Sequence, residues 1–426
     1  MSDPQIELIP ARGAVCSDLS MILDVLIRIS PPKPEIHFPR PALNLALVID
    51  RSGSMAAGKK MAYAIEASAF VVQQLLPTDR ISVVIFDQVV EVLVPGGPAT
   101  DKLGLVRRIQ QVQPRGSTDL HAGWAEGGRQ AAAGLVPGGI NRVLLLSDGI
   151  ANSGVVDPNV IAAEASGLVA NGVSTTTLGV GDDYNEDLLE SMAMAGDGNY
   201  YYIESPVQLA DLFQTELQGL MATLGQKVSL GLEPAEGVQV QEVLNDLERG
   251  PNGRLMLPNM VVGMPIPVVV RLKLPPMPTG SPVLTVRLAW DDSHSTSRRV
   301  ARASLGGLPA IPMTEWSALP ELPEVAEQVA LLMVARAQKE AARSAEIGDV
   351  SGSLQWLHTA REAASSIPGS PVLTDELAVL DQMVGSLGTL PKEAFVKQAK
   401  YRSYQHRQAR PNRSPKSPDS PDDAKS

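Results

Sequence analysis

The chain contains 426 residues, of which 44% are hydrophobic and 19% are charged, a composition typical of globular proteins rather than disordered ones. Its 36 Lys and Arg residues are outnumbered by 47 Asp and Glu residues, and the net charge of −11 argues against a surface that binds nucleic-acid phosphates. The single cysteine, Cys16, excludes an internal disulfide framework and any cysteine-rich metal site.

The sequence carries no visible signal for export or for membrane insertion. Its first residues lack the basic and apolar regions of a signal peptide, and no run approaches the roughly 18–20 apolar residues that cross a bilayer. We therefore expect a soluble cytoplasmic protein without a membrane span. The length predicts several domains, and nothing in the composition indicates an oligomeric state.

The first part of the chain has the pattern of β-strands. The segments Gln5–Ile9 and Met21–Ile29 are apolar, and a proline-rich joint between Pro31 and Pro41 then interrupts regular pairing. We assign residues 1–41 to the beginning of a β-domain whose partner strands lie later in the chain.

Between residues 42 and 224, short strands alternate with helices. Leu43–Ile49 and Val143–Leu146 are almost continuous apolar runs, as expected for strands buried on both faces. Further strands are predicted at 81–86, 173–178 and 200–203, and helices at 61–76, 102–111, 120–134, 160–171, 187–195 and 206–224. This alternation predicts a doubly wound, Rossmann-like α/β domain with a mostly parallel sheet.

After residue 225 the helical pattern disappears. Six short strand candidates lie between Val228 and Leu305, separated by Gly, Pro and Asn, a spacing typical of an antiparallel sandwich. Because the N-terminal strands need partners, we predict that the α/β domain is inserted in a β-sandwich formed by residues 1–41 and 225–308. Residues 315–409 are predicted to form helical hairpins or a small bundle, and residues 410–426 a disordered tail.

Polar side chains with oxygen atoms follow the predicted buried strands. Asp50, Ser52 and Ser54 come directly after the first one, and Asp148 follows the strand Val143–Leu146. Thr118 lies in a loop that opens a helix. In open α/β sheets such loops meet at the carboxyl ends of the strands. Carboxylates and hydroxyls are hard ligands that suit Mg²⁺, and Mn²⁺ and Ca²⁺ accept the same oxygens.

These segments resemble the metal-ion-dependent adhesion site of von Willebrand factor type A (VWA) domains. The resemblance covers residues 42–224 and is closest to bacterial members of the family. It implies that Ser52, Ser54 and Thr118 bind the metal directly, with Asp50 and Asp148 acting closely or through water. It also implies a partner protein that supplies an Asp or Glu carboxylate, and a shift of the last helix on binding.

The same resemblance bears on the domain layout and on the class of partner. A VWA domain inserted in a β-sandwich resembles the layout of inter-alpha-trypsin-inhibitor-like proteins. Bacterial members often act as adaptors beside AAA+ ATPases, which makes such an ATPase one candidate partner. The resulting hypothesis is a non-enzymatic, metal-dependent adaptor.

Three other functions compete with this hypothesis. Residues 53–60 match the spacing of a phosphate-binding P-loop except at Lys60, which replaces the Ser or Thr that would bind Mg²⁺. A phosphohydrolase with Asp50 as nucleophile is disfavoured because Ser52 stands where a second acid is needed. The remaining alternative is a scaffold that binds through its helical C-terminal region, with a metal that is only structural.

Overall fold

The computed structural model describes residues 3–32, 41–148, 153–181, 184–203, 205, 208–250, 252–293, 297–367, 369–387 and 391–407. These residues form two compact units, one from residues within 1–39 and 223–411 and the other from residues within 40–222. The predicted tail at 410–426 lies outside the described residues, as do 33–40 of the proline-rich joint.

The second unit is an α/β unit inserted between the strands of the first. The chain begins with β1 (Gln5–Pro10), β2 (Val15–Cys16) and β3 (Met21–Ser30). The α/β unit then contains β4 (Leu43–Asp50), a 3₁₀ helix (Gly53–Lys59), α1 (Lys60–Gln74), β5 (Arg80–Phe86), β6 (Val90–Pro98), α2 (Lys102–Ile109), α3 (Leu120–Ala133), β7 (Ile140–Ser147), α4 (Pro158–Ala170), β8 (Ser174–Val180), α5 (Glu186–Ala195), β9 (Tyr200–Ile203) and α6 (Leu209–Met221).

The sheet of the α/β unit has six strands in the order β6-β5-β4-β7-β8-β9. Every neighbouring pair is parallel except β5 and β6. Strand β6 is absent from the sequence-based prediction. It pairs antiparallel with β5 at the edge of the sheet, outside the strand–helix alternation, and has the mixed burial of an edge strand. β4 lies inside the sheet and is buried along its whole length, as its apolar run predicts.

Helix α3 lies unusually close to the sheet. A Cβ atom added at Gly123 would come within 2.5 Å of the Phe86 ring, and one added at Gly127 would come within 2.3 Å of Val48. The absence of side chains at these two positions therefore allows the helix to pack directly against β4 and β5. This close packing holds the loop that precedes α3, which contains Thr118, beside the end of β4.

Helix α6 is attached to the sheet by a buried polar network. Glu216 accepts hydrogen bonds from Arg142 (2.9 Å), Thr176 (2.8 Å), Asn199 (2.6 Å) and Tyr201 (2.7 Å). The Glu216 side chain is 1% exposed, so breaking its ion pair with Arg142 would leave an uncompensated buried charge. The observed helix is shorter than the predicted 206–224, because Thr223 already begins the next strand.

The first unit contains an antiparallel sandwich. Its later strands are β10 (Thr223–Pro234), β11 (Gln239–Val243), β12 (Leu255–Met256), β13 (Met260–Val261), β14 (Ile266–Leu274), β15 (Pro282–Asp292), β16 (Arg298–Gly306) and β17 (Ala310–Ile311). One sheet has the order β1-β3-β14-β11 and the other β12-β10-β15-β16, with β13 also paired to β10. Residues of both sheets share one hydrophobic core. The predicted fold class, with the N-terminal strands completing the sandwich, is confirmed.

The described part of this unit ends with the helices α7 (Met313–Ala318), α8 (Pro323–Glu346), α9 (Val350–Ser365), α10 (Pro371–Ser386) and α11 (Lys392–Arg407). Val325 and Leu332 of α8 enter the sandwich core, and other residues of α8 form a second core with α9, α10 and α11. The helical region therefore shares its first long helix with the sandwich. Among the described residues, no helix is both long enough and apolar enough to cross a membrane.

Several basic residues of α11 take part in packing rather than pointing into solvent. Lys397 and Arg407 are both buried. Arg407 forms an ion pair with Asp246, and Lys400 forms one with Glu346. These pairs attach α11 to the rest of its unit, a role that the local sequence pattern does not reveal.

Candidate metal centre

The topology brings the predicted site residues to one edge of the sheet. β4 lies between β5 and β7, so the later strands of the chain are added to the sheet first on one side of β4 and then on the other. The carboxyl ends of β4 and β7 therefore form the switch point at which open α/β sheets bind ligands. Asp50 is the last residue of β4, and Asp148 directly follows β7.

A continuous chain of hydrogen bonds connects four of the predicted ligands. Asp50 Oδ1 accepts from the Ser52 backbone N–H at 2.7 Å, and the hydroxyls of Ser52 and Ser54 are 3.0 Å apart. Ser54 Oγ then donates to Asp148 Oδ1 at 2.8 Å. Two carboxylates and two hydroxyls thus face one another across a short turn, although Asp50 and Asp148 are far apart in the sequence.

Thr118 lies on the neighbouring loop and is buried. The Gly53 backbone N–H donates to the Gly116 carbonyl at 3.0 Å, which joins this loop to the turn that carries Ser52 and Ser54. Beyond Thr118, the Asp119 carboxylate caps α3 by accepting from the Ala122 N–H at 3.0 Å. Asp119 therefore serves the helix, and Thr118 remains the ligand that the resemblance predicts in this loop.

Both carboxylates of the site are completely shielded from solvent. Burial raises the pKa of Asp50 from 3.8 to about 6, although hydrogen bonds from Ser147 and Ser52 partly oppose the shift. The Ser147 bond is short, with its hydroxyl donating to Asp50 Oδ2 at 2.6 Å. The nearby charge of Asp148 raises the pKa further. Two buried acids this close favour a cation between or beside them.

Lys60 supplies one positive charge at this place. Its ammonium group is 2.7 Å from Asp148 Oδ2, and its side chain is 13% exposed. In the sequence, Lys60 is notable only as the residue that breaks the P-loop pattern. Its contact with Asp148 joins positions 88 residues apart, so no local pattern signals it. Lys60 is the first residue of α1, which places its side chain at the carboxyl edge of the sheet.

A second charged cluster lies beside the proposed metal ligands. Arg51 Nε and Arg115 Nε both donate to Asp87 Oδ2, at 3.1 and 2.8 Å, and Arg51 Nη1 pairs with Glu91 Oε2 at 3.1 Å. Burial of Asp87 opposes its ionisation, but hydrogen bonds from Arg115 and Val89 and the charges of both arginines outweigh burial and lower its pKa. This cluster was not identified from the sequence.

The donor set fits a hard divalent cation. Carboxylate and hydroxyl oxygens are the ligands that Mg²⁺, Mn²⁺ and Ca²⁺ prefer, whereas a structural zinc site would call for Cys or His. Burial raises the pKa of Asp50, and a bound cation would stabilise the ionised carboxylate that burial disfavours. The residues that would hold it are Asp50, Ser52, Ser54, Thr118 and Asp148.

Replacing Asp50 with asparagine is expected to stabilise the metal-free protein at neutral and alkaline pH. The pKa of Asp50 is about 6 in the folded chain, against 3.8 for an ordinary aspartate, so the folded chain favours the protonated acid. The free energy of unfolding that protonated Asp50 contributes is complete below 3.8, the pKa of Asp50 in the unfolded chain, and is lost as the pH rises through about 6. The difference between the two pKa values of Asp50 corresponds to ~3 kcal/mol of stability lost between low and high pH.

Urea unfolding in EDTA checks this expectation. Asp50→Asn should raise the unfolding midpoint at about pH 8 and have little effect near pH 4, where the folded chain already carries the proton. The matched control is Asp157→Asn, because Asp157 is an exposed helix cap for which asparagine is an equally good residue. An equal rise of the unfolding midpoint in both variants, or no rise for Asp50→Asn at high pH, would contradict a raised pKa of Asp50 in the folded chain.

Comparison with known proteins agrees with the geometry of the α/β unit. The model of the von Willebrand factor type A domain family matches residues 44–215. The Escherichia coli protein YfbK is 31% identical over 194 residues, which cover 45% of this chain and 34% of YfbK. Mouse inter-alpha-trypsin inhibitor heavy chain 4 is 26% identical over 202 residues, covering 44% of this chain and 21% of that protein. The match thus spans about a third or less of either relative.

A solved structure extends the similarity of fold to nearly the whole chain. The von Willebrand factor type A protein from Catenulispora acidiphila aligns with a TM-score of 0.72 at 16% identity, covering 94% of this chain and 96% of that one. At this level of identity the comparison concerns the fold alone. The match to the family model and the similarity to the bacterial relative identify residues 44–215, within the α/β unit, as a von Willebrand factor type A domain.

Proposed function

We propose that the chain is a non-enzymatic protein-binding module. In this proposal a divalent cation, with Mg²⁺ as the first candidate, is held by Asp50, Ser52, Ser54, Thr118 and Asp148 and captures an acidic side chain of a partner protein. The observation that carries the proposal is the hydrogen-bonded chain from Asp50 through Ser52 and Ser54 to Asp148. It brings hard oxygen ligands from two strand ends to one place.

The charges of the site favour an acidic partner. A bound cation would supply a concentrated positive charge able to attract a carboxylate. Asp50 and Asp148 together balance a divalent ion, and Lys60 beside Asp148 adds one further positive charge. Four of the proposed ligands, Asp50, Ser52, Thr118 and Asp148, are buried, and Ser54 is exposed, so a cation there would lie largely out of water and still be reachable. A charge-assisted contact at such a place discriminates strongly against neutral ligands.

The residues around the site support binding rather than hydrolysis. A hydrolase with Asp50 as nucleophile would need an acid that protonates the leaving group, and Ser52 occupies the position where such an acid is expected. The nearby carboxylate of Asp119 caps α3, and that of Asp87 pairs with Arg51 and Arg115. Because both carboxylates already have other partners, these contacts favour binding of a partner that presents Asp or Glu over hydrolysis. An AAA+ ATPase is one proposed example of such a partner.

A groove in the helical region favours a second candidate function. It has a volume of about 620 Å³ and lies between the segment Val243–Asp246 and the helices α8 and α9. Met333 and Trp356 line it, and each is 39% exposed, so the groove offers an apolar surface to a partner. Such a groove could bind a partner peptide without any metal, as a scaffold would.

A pull-down with purified protein as bait distinguishes the two functions. If the VWA domain is the binding element, EDTA and Asp50→Ala should each reduce capture of the Mg²⁺-dependent partner by at least about tenfold, because a lost charge-assisted contact of this kind costs over about 1.4 kcal/mol. Trp356→Ala should leave that capture unchanged. Deleting the helical region is a poor alternative, because α8 contributes Val325 and Leu332 to the sandwich core.

The opposite pattern would support the scaffold. Capture that survives EDTA and Asp50→Ala but falls with Trp356→Ala would contradict the metal-dependent proposal. Trp356 is partly exposed, so its replacement should not unfold the chain, and a thermal melt of each variant checks this.

Replacing Lys60 with methionine is expected to strengthen metal binding. The Lys60 ammonium is 2.7 Å from a proposed ligand oxygen, so it repels an incoming cation and competes for the same carboxylate. At an effective dielectric constant of about 20, charges at such distances interact by several kcal/mol, and partial screening reduces the net effect to ~1–2 kcal/mol. Isothermal titration with Mg²⁺ should therefore show roughly tenfold tighter binding.

The matched control is Lys59→Met, which removes the same charge one residue earlier at an exposed position. Lys59 ends the 3₁₀ helix and caps α1, which begins at Lys60, so a general electrostatic effect would appear in both variants. Equal affinities for Lys60→Met and Lys59→Met would show that the Lys60 contact does not compete with the cation.

A further inference from the structure

A small pocket lies next to the proposed metal centre. It has a volume of about 300 Å³ and is lined by Arg51, Arg108 and Arg115, with Glu91 at its side and Leu93 and Val112 among its apolar residues. These residues come from the end of β4, from β6, from α2 and from the loop that leads to Thr118. We call it the arginine pocket.

The arginine pocket has an excess of positive charge. Its three guanidinium groups face two carboxylates, Asp87 and Glu91. Arg51 pairs with both acids and Arg115 pairs with Asp87. Arg108 is exposed and forms no salt bridge with any residue that the structure describes. The pocket therefore retains one positive charge for an external anion.

Arg51 also retains a hydrogen-bond donor. The residue is only 6% exposed, and two of its nitrogens serve Asp87 and Glu91. The third nitrogen, Nη2, is buried and has no hydrogen-bond partner among the described residues. A buried donor without an acceptor is unfavourable, and satisfying it would favour binding of an oxygen ligand. Because Arg115 is 59% exposed, its side chain can move to admit one.

The apolar lining selects among possible anions. Leu93 is partly buried and Val112 is buried, so the pocket offers hydrocarbon contacts beneath its charged groups. A carboxylate on an aliphatic stem, as in a glutamate side chain, matches both the charge and this apolar surface. A phosphate ion would satisfy the arginines but leave the apolar contacts unused.

The arginine pocket and the metal centre are continuous in structure. Arg51 lies between Asp50 and Ser52, and its carbonyl accepts from the Arg115 backbone N–H at 2.6 Å. Arg115 and Thr118 share one loop. A partner segment bound at the metal centre would therefore extend over residues that lead into the pocket.

We propose that the arginine pocket binds a second carboxylate of the acidic partner, carried on an aliphatic stem. The proposal rests on the proposed function, which supplies the first carboxylate at the metal centre. It defines the partner as a segment with at least two acidic side chains, one for the cation and one for the arginines. Asp87 is the positioning residue because it holds Arg51, Arg51 Nη2 supplies a buried donor, and Arg108 is the contact most accessible to the ligand.

The experiment uses fluorescein-labelled decaglutamate, which offers carboxylates at many spacings, and measures its anisotropy with the full chain. In Mg²⁺, Arg108→Gln should weaken binding by about three- to fivefold, as expected for one exposed charged contact. The matched control is Arg107→Gln, which removes the same charge from the same helix but does not line the pocket. This control should change affinity by less than about twofold.

Equal losses for Arg107→Gln and Arg108→Gln, or no loss for Arg108→Gln, would overturn the proposal. Competition adds a second test, because glutarate should displace the probe at lower concentration than inorganic phosphate, and the reverse order would exclude the carboxylate assignment. Binding that ignores EDTA and Asp50→Ala but falls with Arg108→Gln would support the arginine pocket and contradict the metal centre. The two proposals can therefore fail separately.

Discussion

The burial of two carboxylates at one edge of a sheet is the constraint on which the site depends. Asp50 and Asp148 lie at the ends of neighbouring strands and have no exposure to solvent. Burial disfavours their charged forms, so the surrounding residues must supply donors or positive charge. The hydroxyls of Ser147 and Ser54 and the ammonium of Lys60 do so. The proposed divalent cation would stabilise the ionised forms of Asp50 and Asp148 more strongly than these groups do.

The same constraint explains how the surrounding elements are arranged. The 3₁₀ helix after β4 turns the chain so that Ser52 and Ser54 face Asp148. The glycines of α3 let that helix approach the sheet, which holds the Thr118 loop beside this turn. On the other side of β4, Arg51 and Arg115 share Asp87 and stabilise the base of the same loop. The proposed metal centre and the arginine pocket thus both lie at the carboxyl end of β4.

The fold class and the candidate site residues could be predicted because their signals are local. The apolar runs of β4 and β7 identify buried strands, and the polar residues that follow them must lie at the carboxyl edge. The strand β6 was not predicted, although residues 90–94 are rich in β-branched side chains, because it follows β5 without a helix between them and so lies outside the strand–helix alternation. Lys60 and Arg51 could not be assigned either, since their partners Asp148 and Asp87 are distant in sequence.

The central claim is that these oxygens bind a divalent cation. Crystals of the full chain soaked with Mn²⁺, measured by anomalous diffraction, test it most directly because Mn²⁺ accepts the same oxygen ligands as Mg²⁺. We predict an anomalous peak within bonding distance of the hydroxyls of Ser52, Ser54 and Thr118, with the Lys60 ammonium moved away from Asp148. A site without a peak, in which Lys60 still contacts Asp148, would contradict the claim.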